Sequence, residues 1–121
     1  MLKKKVNPHH YNVQRGRVFC LDPAEGPEEL GLVLVISNDL HNQLADHLLV
    51  ALVTDKNVEK VRPSLEIPAQ LGKKKIKILI SHLHTIGKET FYQLESYLGK
   101  LDEETMKKVN EQIKLVLDLD N

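Results

Sequence analysis

Between Val18 and Ile86 the apolar residues come in short runs broken by turn formers, and a helical period begins only after Asp102. A chain patterned this way builds a sheet and packs one helix against it. Val18-Phe19-Cys20-Leu21 is stopped by Asp22-Pro23, a strand and a turn. Leu32-Val33-Leu34-Val35-Ile36 is continuous and β-branched, as a buried strand should be, and Ser37-Asn38-Asp39 closes it. Residues 48–53 read as another buried strand reaching Thr54-Asp55, with 40–47 as a polar connection. Pro63-Ser64-Leu65-Glu66-Ile67-Pro68 alternates between two prolines, the pattern of an edge strand. A basic run, Lys73-Lys74-Lys75, then leads into a strand in which Ile76, Ile78 and Ile80 share one face. The same phase carries His82 and His84 onto that face, unless a bulge intervenes.

The last segment changes period. Asp102 suits a helix N-cap, Glu103 and Glu104 its positive end, and Met106, Val109, Ile113 and Leu117 form one apolar stripe. Residues 1–14 are polar and aperiodic, so they read as a flexible arm before a domain over 15–121. With 121 residues there is room for one core, not two. Net charge is zero, 17 basic against 17 acidic, which excludes nucleic-acid binding by bulk charge but not by a local patch. The single Cys20 excludes an internal disulfide and a Cys-based zinc knuckle. The basic start, Met1-Leu2-Lys3-Lys4-Lys5, is followed by Asn7-Pro8-His9-His10 rather than an apolar run, so no export signal is read. No apolar run nears the roughly 20 residues of a membrane helix, and the expected location is the cytoplasm.

Several fragments, in order, resemble the MazF/PemK family of toxin endoribonucleases. Arg15-Gly16-Arg17-Val18 looks like its opening Arg-Gly-Asp-Val strand. Val33-Leu34-Val35-Ile36-Ser37-Asn38-Asp39, with Asn42 beyond, matches its apolar strand ending in Ser-Asn-Asp. Val50-Ala51-Leu52-Val53-Thr54 is similar to the strand that ends in a functional Thr. Ile78-Leu79-Ile80-Ser81-His82-Leu83-His84-Thr85-Ile86-Gly87-Lys88 follows the late strand Leu-Leu-Glu-Gln-Ile-Arg-Thr-Ile-Asp-Lys, and Gly99-Lys100-Leu101-Asp102 the loop into the last helix. The resemblance implies a mainly β fold with α, a small SH3-like antiparallel β-barrel with a C-terminal helix. It further implies a homodimer that cuts single-stranded RNA without metal or other cofactor and is silenced by an acidic antitoxin peptide.

The departures fall on the chemistry. The family's Gly-x-Arg-Pro element precedes its second strand, whereas Gly31-Leu32 here runs straight into Val33 and no Arg lies between Arg17 and Arg62. The family's late Gln and Arg are His82 and His84. Cleavage through a neighbouring 2′-hydroxyl needs a base, an acid for the leaving oxygen, and donors for the charged transition state. Thr54 can donate to a phosphate oxygen. Two histidines with unperturbed pKa near 6.5 can hold one neutral and one protonated ring, hence base and acid, or can simply be tolerated strand residues. Glu28 or Glu29 could serve as base or ribose ligand, or belong to a solvated acidic loop.

Other readings stay open. Arg17, Ser37 and Asn38 are candidate RNA contacts, though Ser and Asn are also ordinary turn residues. Lys73, Lys74, Lys75 and Lys77 form a candidate phosphate-attracting patch, with the N-terminal lysines as helpers. Tyr11, Tyr92 and Tyr97 could stack on bases, while Phe19 belongs to the core. His-x-His with His9, His10 or His41 could assemble a metal site, but such spacing is common and no metal is expected. The alternative function is a catalytically inactive protein of the same fold that binds RNA, an antitoxin-like peptide or, as the related CcdB toxins do, a gyrase-type target.

Overall fold

Strand alternation puts a hydrophobic side chain on both faces of the central strands, and the chain builds one six-stranded antiparallel sheet between two cores. The computed structural model describes residues 13–21, 31–91 and 97–118. In chain order the elements are β1 (Arg17–Cys20), β2 (Leu32–Val35), α1 (Asp39–Leu44), β3 (His47–Thr54), β4 (Glu66–Leu71), β5 (Lys74–Gly87), a 3-10 turn (Lys88–Phe91), β6 (Tyr97–Lys100) and α2 (Glu103–Leu117). The sheet order is β4-β5-β3-β2-β1-β6. Pro68 sits in the edge strand β4, where a missing N–H is harmless and blunts pairing with another chain.

One core gathers Val18, Leu34, Ala51, Val53, Ile67, Ile76, Ile78 and Ile80 under α2, which contributes Val109 with Met106 and Ile113 beside it. The other, on the opposite face, gathers Phe19, Val33, Val35, Leu48, Val50, Leu52 and Ile86 with Phe91 and Val13. Val13, assigned to the arm from sequence, is only 3% exposed and is part of that packing. Each buried Leu or Ile contributes about 1.5–3 kcal/mol of transfer free energy, so these two faces supply the main driving force for the sheet.

The two faces trade places along β5. Ala51 pairs with Leu83, but the next β3 residue, Leu52, pairs with Leu79, leaving Ile80, Ser81 and His82 without a partner on β3. Ile80 N–H turns instead to Leu65 O at 3.0 Å. The bulge inverts the phase, so Ile76, Ile78 and Ile80 face the α2 core while Ile86 faces the other. His84, paired with Val50, therefore does not share the face of those isoleucines, because the bulge that the sequence reading left open interrupts the alternation.

Three further differences from the sequence expectations have local causes. The stretch 40–47, expected as a polar connection, instead contributes most of α1, because Asn38 Oδ1 accepts His41 N–H at 2.8 Å as an N-cap. The edge strand begins at Glu66, later than the proline-flanked run that signalled it. Gly99-Lys100, expected to open the loop into the helix, is instead the end of β6, which pairs with β1 as a sixth strand. The final helix starts as expected, Asp102 Oδ1 accepting Thr105 N–H at 2.8 Å, and ends on Asp118 in the left-handed region.

The curled sheet brings its edge strands together where Leu71 of β4 lies against Gly99 of β6. Gly99 has φ +155, and a Cβ built there would sit 2.9 Å from Leu71 Cδ1. Replacing Gly99 with Ala forces both a disfavoured backbone angle and a shift of Leu71. Gly99→Ala is expected to lower stability by about 1–3 kcal/mol in urea titration; an unchanged midpoint would show that the edges do not depend on this approach.

Candidate functional site

Thr54 is the last residue of β3, and its neighbours follow from the register. It pairs with Lys77 on β5, which in turn pairs with Pro68 on β4. On its other side Val53 pairs with Leu32, so Gly31 lies next to the Thr54 end of β3, and Leu21 N–H donates to Gly31 O at 2.7 Å. Thr54 Oγ1 accepts Lys56 N–H at 3.1 Å. This short turn fixes the oxygen and leaves the hydroxyl proton for an outside acceptor such as a phosphate oxygen. Among the described residues a Cβ built at Gly31 meets nothing within 4 Å, so no described side chain fills the place beside Thr54.

His84 pairs with Val50, four β3 positions from Thr54, which is about 13 Å along the strand. Thr54, Leu52 and Val50 alternate onto one face, and the bulge brings His84, paired with Val50, to it as well, while His82 lies in the unpaired stretch. Thr54 and His84 thus share a face without sharing a contact, with Leu52 and Val50 buried between them. His82 is exposed and His84 half-buried. Glu28 and Glu29, with Tyr11, Tyr92, His9, His10 and the N-terminal lysines, lie outside the described residues.

The remaining candidates separate into free and occupied groups. Ser37 Oγ donates to Asn42 Oδ1 at 2.5 Å and accepts Leu49 N–H at 3.2 Å, while Asn42 Nδ2 donates back to Ser37 O at 3.0 Å. With Asn38 capping α1, both residues are engaged in holding the β2–α1 corner. Arg15 reinforces that corner, its guanidinium donating to Ile36 O and its N–H to Asp39 Oδ1 at 2.7 Å. Burial pushes the Arg15 guanidinium below its ordinary value, and the Asp39 charge opposes the shift. Arg17 stacks its guanidinium 5.2 Å from the Tyr97 ring centre, and Tyr97 in turn tilts onto Phe19 at 5.5 Å.

Of the basic run, Lys73 and Lys75 are exposed, and Lys74 pairs with Asp55 at 3.2 Å across the surface. Lys77 does not belong to that patch. It is 6% exposed, its Nζ donating to Glu66 Oε1 at 2.9 Å and Lys60 O at 2.7 Å. Pattern reading missed this because a lysine in an apolar strand looks like an outward charge; the only signal was Glu66 on the preceding edge strand. Among the described residues no group of three His, Cys, Asp or Glu could hold a metal ion. No helix among them is long and apolar enough to cross a membrane.

Three carboxylates are held below their ordinary range. Glu66 owes this to the Arg62 N–H and then Lys77, Asp55 to the hydrogen bond and charge of Lys74, and Asp102 to the Thr105 hydrogen bonds at the cap. Each binds its proton less readily folded than unfolded. Their stabilisation is therefore full above the ordinary carboxylate pKa of about 4 and is lost as pH falls through the depressed values. Urea midpoints should hold from neutral pH to about 5 and then fall. In Glu66→Gln the acid-side fall should be shallower; an identical pH slope would remove Glu66 from the account.

Comparison with known proteins places this arrangement. Residues 14–117 match the family described as PemK-like, MazF-like toxin of type II toxin-antitoxin system. The endoribonuclease EndoA of Bacillus subtilis (strain 168) is 33% identical over 114 residues, covering 88% of this chain and 96% of that protein. An endoribonuclease from Mycobacterial species has the same fold, with TM-score 0.71 at 20% identity over 96% of this chain and 97% of that one. A second Mycobacterial structure, an endoribonuclease in complex with its cognate antitoxin, gives TM-score 0.71 at 21% identity over 89% and 97%. The match spans the two cores, the Thr54 strand and the C-terminal helix, and the chain belongs to the PemK-like, MazF-like toxin family.

Proposed function

We propose that this chain is a toxin endoribonuclease that cuts single-stranded RNA without a metal ion and is held inactive by an antitoxin peptide. The observation that carries the reading is the hydroxyl of Thr54, fixed by Lys56 N–H at the end of β3 and next to Gly31, where no described side chain intrudes, within a family member that aligns along 88% of its length with an endoribonuclease. Thr54 binds the scissile phosphate. Glu28 is the proposed general base or ribose ligand. His84 lies about 13 Å further along the same face, too far to act on the phosphate at Thr54 within one chain, so it and its neighbour His82 contact the RNA strand elsewhere. The protein is proposed to work in the cytoplasm.

A homodimer fits the surface. Leu40 and Leu44, 65% and 76% exposed, lie one turn apart on α1, and Leu49, 36% exposed, is on β3 against which α1 packs. Exposed leucines so grouped favour burial against a second copy. Leu44→Glu should shift the protein toward monomer in sedimentation velocity; an unchanged dimer would move the interface elsewhere, and a monomeric parent would remove the homodimer.

The functional test is cleavage of single-stranded RNA in EDTA. Thr54→Val should lose about 10²-fold or more in kcat, the scale of one lost transition-state donor. His82→Ala/His84→Ala should raise KM with kcat little changed and the pH profile intact. Gly31→Arg, placing a cation beside Thr54 where no described side chain intrudes, should raise kcat. Growth arrest with intact RNA would contradict the enzyme and favour a protein target, and no arrest would favour a silent binder. A parent-like Thr54→Val would remove Thr54 from the site.

A further inference from the structure

Lys77 is an ionisable group, buried in the middle of a strand, that the proposed chemistry does not use. Two of its three donors are spent, on Glu66 Oε1 and Lys60 O. The same carboxylate oxygen accepts Arg62 N–H at 3.0 Å. One ion pair, with side chains 8% and 13% exposed, thus joins β5, the start of β4 and two points of the loop between β3 and β4.

That loop begins at Thr54. Its first turn carries the Lys56 N–H that fixes Thr54 Oγ1, and its second places Asn57 in the left-handed region with Lys60 N–H on Asn57 O at 3.1 Å. Among the described residues the other ion pair between loop and sheet, Asp55 with Lys74, is half-exposed and worth little, and the backbone bond of Ile80 N–H to Leu65 O holds only the far end of the loop. Replacing a buried ion pair by neutral groups is often close to neutral for stability. A benefit in fold stability therefore does not account for the pair, whereas fixing one loop conformation does.

We propose that the Lys77–Glu66 pair is a positioning device for the Thr54 hydroxyl, holding the loop of residues 55–65 against the sheet so that Lys56 N–H stays on Thr54 Oγ1; its bearing on catalysis rests on the reading of Thr54 as the phosphate ligand. Lys77 and Glu66 are positioning residues and touch no substrate. Because Lys77 stands opposite Thr54 in the β3–β5 register, the device and the hydroxyl are anchored on the same row of the sheet.

The test is the Lys77→Met/Glu66→Gln double variant, which keeps volume at 77 and an acceptor for Arg62 N–H at 66. Its melting temperature should stay close to that of the parent, and the amide of Leu34, deep in the sheet, should exchange as before. The Lys56 amide should exchange at least about tenfold faster, and kcat on single-stranded RNA should fall by a similar factor with KM within about twofold. Glu66→Gln alone leaves the buried Lys77 ammonium without its counter-charge, so it should move Lys56 exchange in the same direction and also lower the melting temperature. Faster Lys56 exchange supports the device whether or not RNA is cut. Unchanged Lys56 exchange in either stable variant overturns it. Failure of the phosphate reading shows separately, as a Thr54→Val variant that cleaves like the parent.

Discussion

The break in alternation at Ile80, Ser81 and His82 governs the rest of the molecule. A 14-residue strand with unbroken period two would bury one face throughout and leave the other in water. By skipping three residues against β3, β5 commits its first half to the core under α2 and its second half to the core around Phe19 and Phe91. The sheet must bend to satisfy both, and the bend brings β4 toward β6, where only a residue without a Cβ lets Leu71 approach. It also turns His84 onto the face of Thr54. Fold and site are consequences of the same local irregularity.

A second layer of constraint is polar. The β2–α1 corner is held by Arg15, Ser37, Asn38, Asp39 and Asn42 hydrogen-bonding among themselves and to the backbone. Residues that a motif comparison marks for RNA are thereby committed to structure. The resemblance at Ser37-Asn38-Asp39 coincides with the corner these residues build. The Thr54 end of the sheet is different. There the hydroxyl proton remains available, and the adjacent position 31 is a glycine into whose place no described side chain intrudes.

Much of this was legible in the sequence. β2 and β3 are continuous apolar runs, α2 has a cap and a stripe, and the segment order pointed to the family. What escaped had weak local signals. α1 is a short helix whose evidence is one capping Asn. β6 contains Gly99, which argues against a strand until its partner β1 is known. The bulge cannot be seen in Ile-Ser-His, because its cause is the partner residue Leu65 and the two cores on either side. Lys77 misled for a related reason: charge patterning alone does not reveal a carboxylate and a carbonyl waiting inside. Thr54 stands out in the sequence because it combines a strand end with matching flanks, and the structure places it at the end of β3.

The central proposal is that single-stranded RNA binds at the Thr54 end of β3 and also contacts His82 and His84 further along β5. The direct measurement is an NMR titration of the protein with a single-stranded oligonucleotide made uncleavable by 2′-deoxy substitution. The account predicts shifts at Thr54, Lys56, His82 and His84 together, with the amides of Ile76, Ile78 and Ile80 least affected. Shifts confined to the turn at Lys73, Lys74 and Lys75, with Thr54 and the histidines silent, would contradict it.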